Sequence, residues 1–135
     1  ETHLALVKGD VTRDTPVVRV HALNPLRDLL HAKYQGRIGW NLQKSLAEIA
    51  RHDAGVLVLL GQDFASEELV GHIQGFFNQR PRATVDGAGM YRTIGAGSQI
   101  LRDLGITRMK LLSSPMRFNA LSGFGLEIVE YLGTD

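Results

Sequence analysis

The fold of this chain is limited most strongly by a short, wholly apolar segment between two glycines. Residues 56–60 read Val-Leu-Val-Leu-Leu, with Gly55 before them and Gly61 after them. A run of this length without a polar position is typical of a β-strand that is buried on both faces. Such a strand needs further strands beside it and helices above and below it. The segment therefore predicts a layered α/β domain.

Strand-like and helix-like segments alternate around this central strand, which supports the layered interpretation. Short β-branched or alternating segments predict further strands at residues 3–8, 17–22, 107–112 and 126–131. Apolar residues at helical spacing predict helices at residues 25–32, 41–50, 96–104 and 116–121. Ser66 is the predicted cap of one more helix, which ends near Pro81. Residues 83–89, which are rich in glycine, are predicted to be irregular.

Composition and charge limit the classes of function. With 135 residues, 44% hydrophobic and 21% charged, the chain has the size and composition of one soluble domain. Its net charge of +1 provides no strong electrostatic attraction for nucleic acid, although a localised basic pocket stays open, and no apolar run reaches the roughly 18 residues that span a bilayer. We expect a single cytoplasmic domain over residues 1–135, with no nucleic-acid or membrane partner. Because the chain starts at Glu1 rather than Met, we expect it to be part of a longer protein.

The chain contains no cysteine, which excludes a cysteine nucleophile and a zinc ion held by thiolates. Its histidines also lack the spacing of a helical or strand-borne metal site. They are His3, His21, His31, His52 and His72. A metal site made from them would have to be assembled entirely by the tertiary fold. We therefore expect no metal and no other cofactor.

Two glycines mark the predicted start of the helix at residues 96–104. Gly95 and Gly97 lie where the first turn of a helix can present free backbone N–H groups to a phosphate. Close packing of the helix against a neighbour explains the same glycines equally well. The dinucleotide-binding fingerprint needs a third glycine and a preceding strand, and neither is evident here. An anion site and a packing site therefore both remain open.

Arginines and serines supply a second candidate anion site. Arg80, Arg82 and Arg92 bracket the irregular segment and can bind phosphate, although a solvated loop explains them as well. Ser113 follows the fourth predicted strand, and Arg117 comes shortly after it. Ligands of open α/β sheets bind at the carboxyl ends of the strands. A nucleotide is therefore a suitable ligand for this pair of side chains.

The second half of the chain closely resembles one enzyme family. From Gly95 it reads G-A-G-S-Q-I-L-R-D-L-G-I, from Lys110 K-L-L-S-S-P, and from Gly123 G-F-G-L-E-I-V. GTP cyclohydrolase II, the first committed enzyme of riboflavin synthesis, reads roughly G-I-G-A-Q-I-L-R-D-L-G-V, L-L-T-N-N-P and G-Y-G-L-E-I-V over the same stretch. The resemblance extends more thinly through the first half. It implies an α/β fold with the layered sheet and helices of the GTP cyclohydrolase II type.

The activity of that family depends on a metal for which this chain has no ligands at the matching positions. In GTP cyclohydrolase II, a zinc ion held by three cysteines activates the water that opens the imidazole ring of GTP, with loss of formate. The resemblance places those cysteines at or nearest to Asn24, Gly36 and Ile38. None of these side chains replaces a thiolate as a zinc ligand. The resemblance therefore implies a domain without the zinc that the family uses, and we expect no magnesium cofactor either.

Other positions also differ from the family. The family's proton acceptor and proposed nucleophile fall on Met90 and Arg92, so only the arginine remains for catalysis. Its nucleotide loop falls on residues 61–65, where one acid is kept and both arginines are lost. By resemblance, the nucleotide-binding residues that remain are Arg19, His21, Asn41, Asp63, Ser113 and Arg117. Descent from a common fold explains the same residues without any bound nucleotide.

These observations lead to one main hypothesis and two alternatives. In many bacteria a domain of this family is fused behind 3,4-dihydroxy-2-butanone 4-phosphate synthase, so the resemblance implies such a synthase as the partner. The main hypothesis is a catalytically silent domain that stabilises, dimerises or regulates that synthase. The alternatives are an active GTP cyclohydrolase II-type hydrolase and a module that senses GTP or a related nucleotide. We also expect the chain to form a homodimer.

Overall fold

The computed structural model describes residues 2–33, 35–61, 70–71, 73–74, 87–113 and 125–134. Each strand falls where the sequence predicts one. The strands are β1 (Leu4–Lys8), β2 (Val17–Ala22), β3 (Gly55–Leu60), β4 (Arg108–Leu112) and β5 (Glu127–Leu132). The helical elements are a single π-helical turn at Pro25–Leu29, helix α1 at Leu42–Ala50 and helix α2 at Gly87–Asp103.

The five strands form one sheet in the order β1-β3-β2-β4-β5. Strands β2, β3, β4 and β5 run parallel to one another, whereas the edge strand β1 pairs with β3 in the antiparallel sense. Helix α1 connects the adjacent parallel strands β2 and β3, which is the usual crossover for such a pair. The prediction of a layered α/β domain is therefore confirmed.

The central strand is buried on both faces, as its apolar sequence predicts. Val56 and Val58 pack into the larger apolar cluster, which includes Leu101 of α2. Leu57 points to the opposite face and packs with Ile49 of α1. Because β3 has α1 on one face and α2 on the other, polar side chains have no place along it. The carboxyl ends of the parallel strands meet at one edge of the sheet, and the candidate site lies there.

Helix α1 begins and ends with side-chain caps. Asn41 is its N-cap, and the Asn41 side chain accepts a hydrogen bond of 2.8 Å from the backbone N–H of Lys44. At the other end, the ammonium group of Lys8 on β1 donates to the carbonyl oxygens of Ala50 and His52, at 2.7 and 2.8 Å. These contacts satisfy backbone groups that a helix end leaves unpaired. The predicted helix at residues 41–50 is confirmed.

Helix α2 begins earlier than the sequence predicts, and this overturns the phosphate interpretation of its glycines. The helix starts at Gly87, so residues 87–89 are helical rather than irregular, and Gly95 and Gly97 lie inside it. Backbone N–H groups inside a helix are already bonded to carbonyls and are not free for an anion. A Cβ atom on Gly97 would come within 2.9 Å of Val20 Cγ1. The glycine therefore allows α2 to approach β2, which is the packing alternative.

The helical turn after β2 also differs from a standard amphipathic segment. The leucine spacing correctly predicts helical structure after Pro25, but the turn is of the π type. Leu29 and Leu30 are 67% and 72% exposed. Asp28, which directly precedes them, is fully buried. These two leucines therefore do not face the core.

Two further predicted helices lie largely outside the residues that the structure describes. Residues 116–121 are not described, and of the helix that follows Ser66 only residues 70–71 and 73–74 are described, as helical. No helix in the described ranges has the length and apolar character needed to cross a membrane.

Candidate polar site at the carboxyl end of the sheet

The candidate site lies where β2 and β4 end and where residues 23–41 connect β2 to α1. Arg19 and His21 are two residues apart on β2, so their side chains leave the same face of the sheet. That face is the one that α1 covers, because Val17 on the same side packs in the cluster with Ile49. Two of the predicted nucleotide-binding residues are thus side by side in the structure.

The Arg19 guanidinium is bound to three different parts of the chain. Its Nε donates to His21 Nδ1 at 3.1 Å, its Nη1 to the carbonyl oxygen of Leu112 at 3.0 Å, and its Nη2 to that of Trp40 at 3.1 Å. Burial, and secondarily the nearby charge of Arg27, lowers the pKa of Arg19 to about 10. The side chain therefore remains a cation at neutral pH and ties β2 to β4 and to the residue before α1's cap.

His21 is held as a neutral donor in one tautomer. Because Nδ1 accepts from Arg19, the ring proton is on Nε2, which donates to Asp28 Oδ2 at 2.9 Å. The side chain is completely buried. Burial lowers the pKa of His21, although the hydrogen bond to Asp28 opposes the shift. The imidazole therefore stays uncharged at neutral pH.

Asp28 is the centre of the site. Its Oδ2 accepts from His21 and, at 2.7 Å, from the backbone N–H of Asn24, while its Oδ1 accepts from the N–H of Leu42 at 2.8 Å. Burial alone would raise the pKa of Asp28, but these hydrogen bonds outweigh it and lower the pKa overall. A single buried carboxylate thus joins β2, the π-helical turn and the first residue of α1.

Sequence reasoning overlooked Asp28, because an acid among leucines resembles a solvated helix face. A signal was nevertheless present. Asn24 caps the turn by accepting from the N–H groups of Leu26 and Arg27, and Asp28 accepts in return from the N–H of Asn24. This is a reciprocal cap, like a capping box lengthened by one residue. The pattern Asn-Pro-x-x-Asp therefore indicates an acid that is committed to the backbone.

The other predicted nucleotide-binding residues are placed as follows. Asn41 is buried and caps α1, as described above. Ser113 directly follows β4, and its N–H donates to the carbonyl oxygen of Leu132 at 3.2 Å. Arg92 belongs to α2, but its side chain lies outside the described structure, as do Asp63 and Arg117 altogether. The structure thus brings together Arg19, His21 and Asn41, with Ser113 at the neighbouring strand end, and their role in nucleotide binding remains a prediction.

The three positions that the resemblance assigns to zinc ligands do not fit a zinc ion. The side-chain oxygen of Asn24 is engaged with the N–H groups of Leu26 and Arg27, at 3.0 and 3.3 Å. Gly36 has no side chain and adopts a φ of +76°, and Ile38 offers only a hydrocarbon. In the part of the chain that the structure describes, no three histidine, aspartate or glutamate side chains are grouped so that they could hold a metal.

These features define a layered α/β domain with a mainly parallel sheet and a closed polar cluster at the carboxyl end of its strands. A model of the GTP cyclohydrolase II family matches residues 1–133, so the chain belongs to the GTP cyclohydrolase II family. The resemblance noted in the sequence is therefore confirmed.

Relatives of this chain carry the name of a second riboflavin enzyme. One relative is a 3,4-dihydroxy-2-butanone 4-phosphate synthase from Pseudomonas aeruginosa, to which the chain is 47% identical. The match covers 98% of this chain and 36% of the relative. Another is a riboflavin biosynthesis protein RibBA from Chlorobium phaeovibrioides, to which the chain is 35% identical. This match covers 96% of the chain and 34% of the relative. The chain thus spans about a third of the length of these relatives.

A solved structure is also similar. It is the crystal structure of RibBX, described as a two-domain 3,4-dihydroxy-2-butanone 4-phosphate synthase from A. baumannii. The identity is 44% and the TM-score 0.64, with 98% of this chain matched to 32% of that chain.

Proposed function

We propose that this chain is a catalytically silent GTP cyclohydrolase II-like domain without zinc, which serves a structural or regulatory role for a 3,4-dihydroxy-2-butanone 4-phosphate synthase. The observation that carries the proposal is the state of Arg19. The guanidinium group, which the resemblance assigns to nucleotide binding, already donates to Leu112, Trp40 and His21. Three of its five N–H groups are thus occupied by protein acceptors.

The neighbouring residues support the same proposal. His21 and Asn41 are buried. The His21 ring donates to the Asp28 carboxylate, and the Asn41 side chain accepts from the backbone N–H of Lys44. A nucleotide that contacted Arg19 or His21 in the observed arrangement would have to displace these hydrogen bonds, and each buried protein group that lost its partner without a replacement would cost about 1–3 kcal/mol. A structural role therefore explains these residues without a ligand.

The partner in the proposal comes from the relatives. Proteins named 3,4-dihydroxy-2-butanone 4-phosphate synthase match this chain over about a third of their length, so the remainder is long enough for another domain. We propose that the present chain acts beside such a synthase domain. To test this, the synthase activity and melting temperature of the P. aeruginosa relative are measured with and without its matching third. Loss of stability or activity on deletion is expected, and unchanged values of both would contradict the proposed role.

Catalytic silence is tested with the purified chain, GTP and either zinc or magnesium. Formate, pyrophosphate and the diaminopyrimidine product are followed, with heat-denatured chain as the blank. We expect no product above the blank. Product that disappears in the variant Arg92→Gln would instead establish the alternative, an active hydrolase that retains the remaining catalytic arginine of the family.

A nucleotide sensor is a second candidate, and the charge of the cluster favours it. Arg19 and Arg27 face one carboxylate, Asp28, and the neighbouring His21 is neutral, so positive charge is in excess. Arg27 Nε is also buried, at 3.7 Å from Asp28 Oδ1, and has no hydrogen-bond partner within the described part of the chain. A sensor predicts saturable calorimetric binding of GTP, GMP or a flavin nucleotide and a raised melting temperature, without turnover. Absence of both effects removes this candidate.

We further propose a homodimer in the cytoplasm. The outer strand β1 supports an intermolecular or interdomain contact, because Leu4, Leu6 and Val7 are exposed on it. Light scattering after size-exclusion chromatography is expected to give twice the mass of the chain. A mass of 14.8 kDa at micromolar concentration would refute the dimer.

A further inference from the structure

Apolar packing accounts for only part of the stability of the segment between β2 and α1, because Trp40 packs in an apolar cluster whereas two leucines of the segment are exposed. The segment leaves β2, makes one π-helical turn and returns to α1. Leu29 and Leu30 are exposed, and His31, Gln35 and Gly36 all have φ near +50° to +76°. Left-handed conformations of this kind are costly for residues other than glycine and persist only where the surroundings enforce them. Trp40, at the end of the segment, packs against the apolar cluster around Leu57, but polar contacts are needed to fix the rest of the segment.

The two ends of this segment converge on one carboxylate. At its start, the N–H of Asn24 donates to Asp28 Oδ2, and at its end the N–H of Leu42 donates to Asp28 Oδ1. The side-chain amide of Gln43 adds a bond of 3.3 Å to the Asp28 carbonyl oxygen. Because a buried carboxylate with several N–H donors makes strong hydrogen bonds, Asp28 is well suited to close the segment.

Arg19 fixes the same segment to the sheet. Its contact with the carbonyl oxygen of Trp40 reaches the end of the segment, and its contact with Leu112 reaches β4. The indole N–H of Trp40 then donates to the carbonyl oxygen of Leu132 on β5, at 2.8 Å. The segment is thereby bound to three of the parallel strands.

We propose that Asp28 and Arg19 form a hydrogen-bonded latch that holds residues 23–41 against the end of the sheet without any metal. The two stretches that the latch joins are those in which the family resemblance places the zinc ligands, around Asn24 and before Leu42. Here their connection depends on a carboxylate and a guanidinium instead. The latch goes beyond the proposed function, because it determines the conformation of the segment whether or not the chain binds a nucleotide.

The test is hydrogen–deuterium exchange of the full chain, read by mass spectrometry for peptides within residues 23–41 and for peptides of β3. The fluorescence of Trp40, the single tryptophan, is recorded in parallel. Exchange is compared in the presence of EDTA, in added zinc, and in the variants Asp28→Asn and Leu101→Ala. Leu101 is a core residue of α2 on the other face of the sheet, so its variant controls for general loss of stability.

Three results are expected. Neither EDTA nor zinc changes the exchange of the segment. Asp28→Asn speeds exchange within residues 23–41 by about tenfold to a hundredfold, which corresponds to the loss of charged hydrogen bonds. Leu101→Ala speeds exchange in β3 at least as much as in the segment.

The proposal is overturned if EDTA releases the segment, or if Asp28→Asn affects the segment no more than Leu101→Ala does. Should Asp28→Asn fail to fold, Arg19→Lys decides the matter. Lysine keeps the charge but cannot reach both carbonyl oxygens in the fork geometry of arginine. We expect a selective increase of about tenfold in the segment with unchanged circular dichroism. No selective increase in that variant would refute the latch. Turnover of GTP would leave the latch intact and refute only the proposed function.

Discussion

The contact between Gly97 on α2 and Val20 on β2 provides a quantitative test of how the helix meets the sheet. A Cβ atom at position 97 would lie 2.9 Å from Val20 Cγ1. Carbon atoms in favourable contact are about 3.5–4.0 Å apart, so the added methyl group overlaps with the valine. Valine cannot turn away easily, because its branched side chain has one strongly preferred rotamer. The variant Gly97→Ala therefore overpacks this contact.

Two opposing effects set the magnitude. Overpacking of a core costs about 1–3 kcal/mol, whereas replacing glycine by alanine inside a helix stabilises it by about 1 kcal/mol. We expect Gly97→Ala to reduce the free energy of unfolding by about 1 kcal/mol in the natural background. When Val20→Ala removes the obstructing methyl groups, only the gain in helix propensity is left. In that background the same substitution should stabilise the domain by about 1 kcal/mol.

Urea unfolding followed by circular dichroism measures the four free energies of this double-mutant cycle. A coupling of about 2 kcal/mol between positions 20 and 97 is expected. Leu57→Ala, on the opposite face of the sheet, serves as the control, and its coupling with Gly97→Ala should stay within about 0.5 kcal/mol. If Gly97→Ala stabilises the natural chain, or if the two positions do not couple, Gly97 does not face β2 and the packing argument fails.

Three further predictions follow from buried polar and exposed apolar groups. Because the pKa of His21 is lowered in the folded state, the unfolded chain takes up the proton first, and stability should fall by up to about 1.4 kcal/mol per pH unit below about pH 6.5. In urea titrations at several pH values, His21→Gln should reduce this slope, and an unchanged slope in this variant would refute the assignment to His21. Ser98→Ala should raise the free energy of unfolding by about 1 kcal/mol, because the buried Ser98 hydroxyl has no hydrogen-bond partner among the residues that the structure describes; a loss of stability would show that it has one. Leu30→Ser should change stability by less than about 0.5 kcal/mol in thermal melts of the chain, since the side chain is exposed, and a larger loss would mean that the turn is packed differently.

The sheet was predictable because its strands carry local signals that packing does not contradict. The apolar run of β3 and the β-branched residues of β2 each identified a strand with nearly correct ends. The start of α2 was not predictable in this way, because Gly87, Gly89 and their neighbours have low helix propensity. Helical structure there is decided by tertiary context, which commonly overrides propensity. The spacing of glycines alone therefore pointed to a phosphate site that the structure does not contain.

The polar site was predictable only in part, for a related physical reason. Arg19, His21 and Asn41 were found through resemblance, and the structure places them together. Asp28 was not found, because a carboxylate becomes buried only when donors from distant segments converge on it, and that convergence is a property of the fold. The sequence shows the reciprocal cap around Asn24, but not the contact with Leu42 that completes the burial.

The pattern of kept and changed residues itself argues for a structural role. By the family resemblance, the positions that differ include Asn24, Gly36 and Ile38, where the family's thiolates serve a metal, and Met90, where its carboxylate serves catalysis. Arg19 and His21, in contrast, have been kept, and both make hydrogen bonds that hold the fold together.

A buried polar group that loses its hydrogen-bond partner costs about 1–3 kcal/mol, and more where the group is charged, which is a substantial part of the stability of a small domain. Under the proposal of a silent domain, stability alone is therefore enough to retain Arg19 and His21, and their presence does not require a bound nucleotide. The positions that distinguish a structural role from a catalytic one are those at which the family's residue serves only the metal or the reaction. At these positions, the changes support the proposal that the domain persists for its fold rather than for its chemistry.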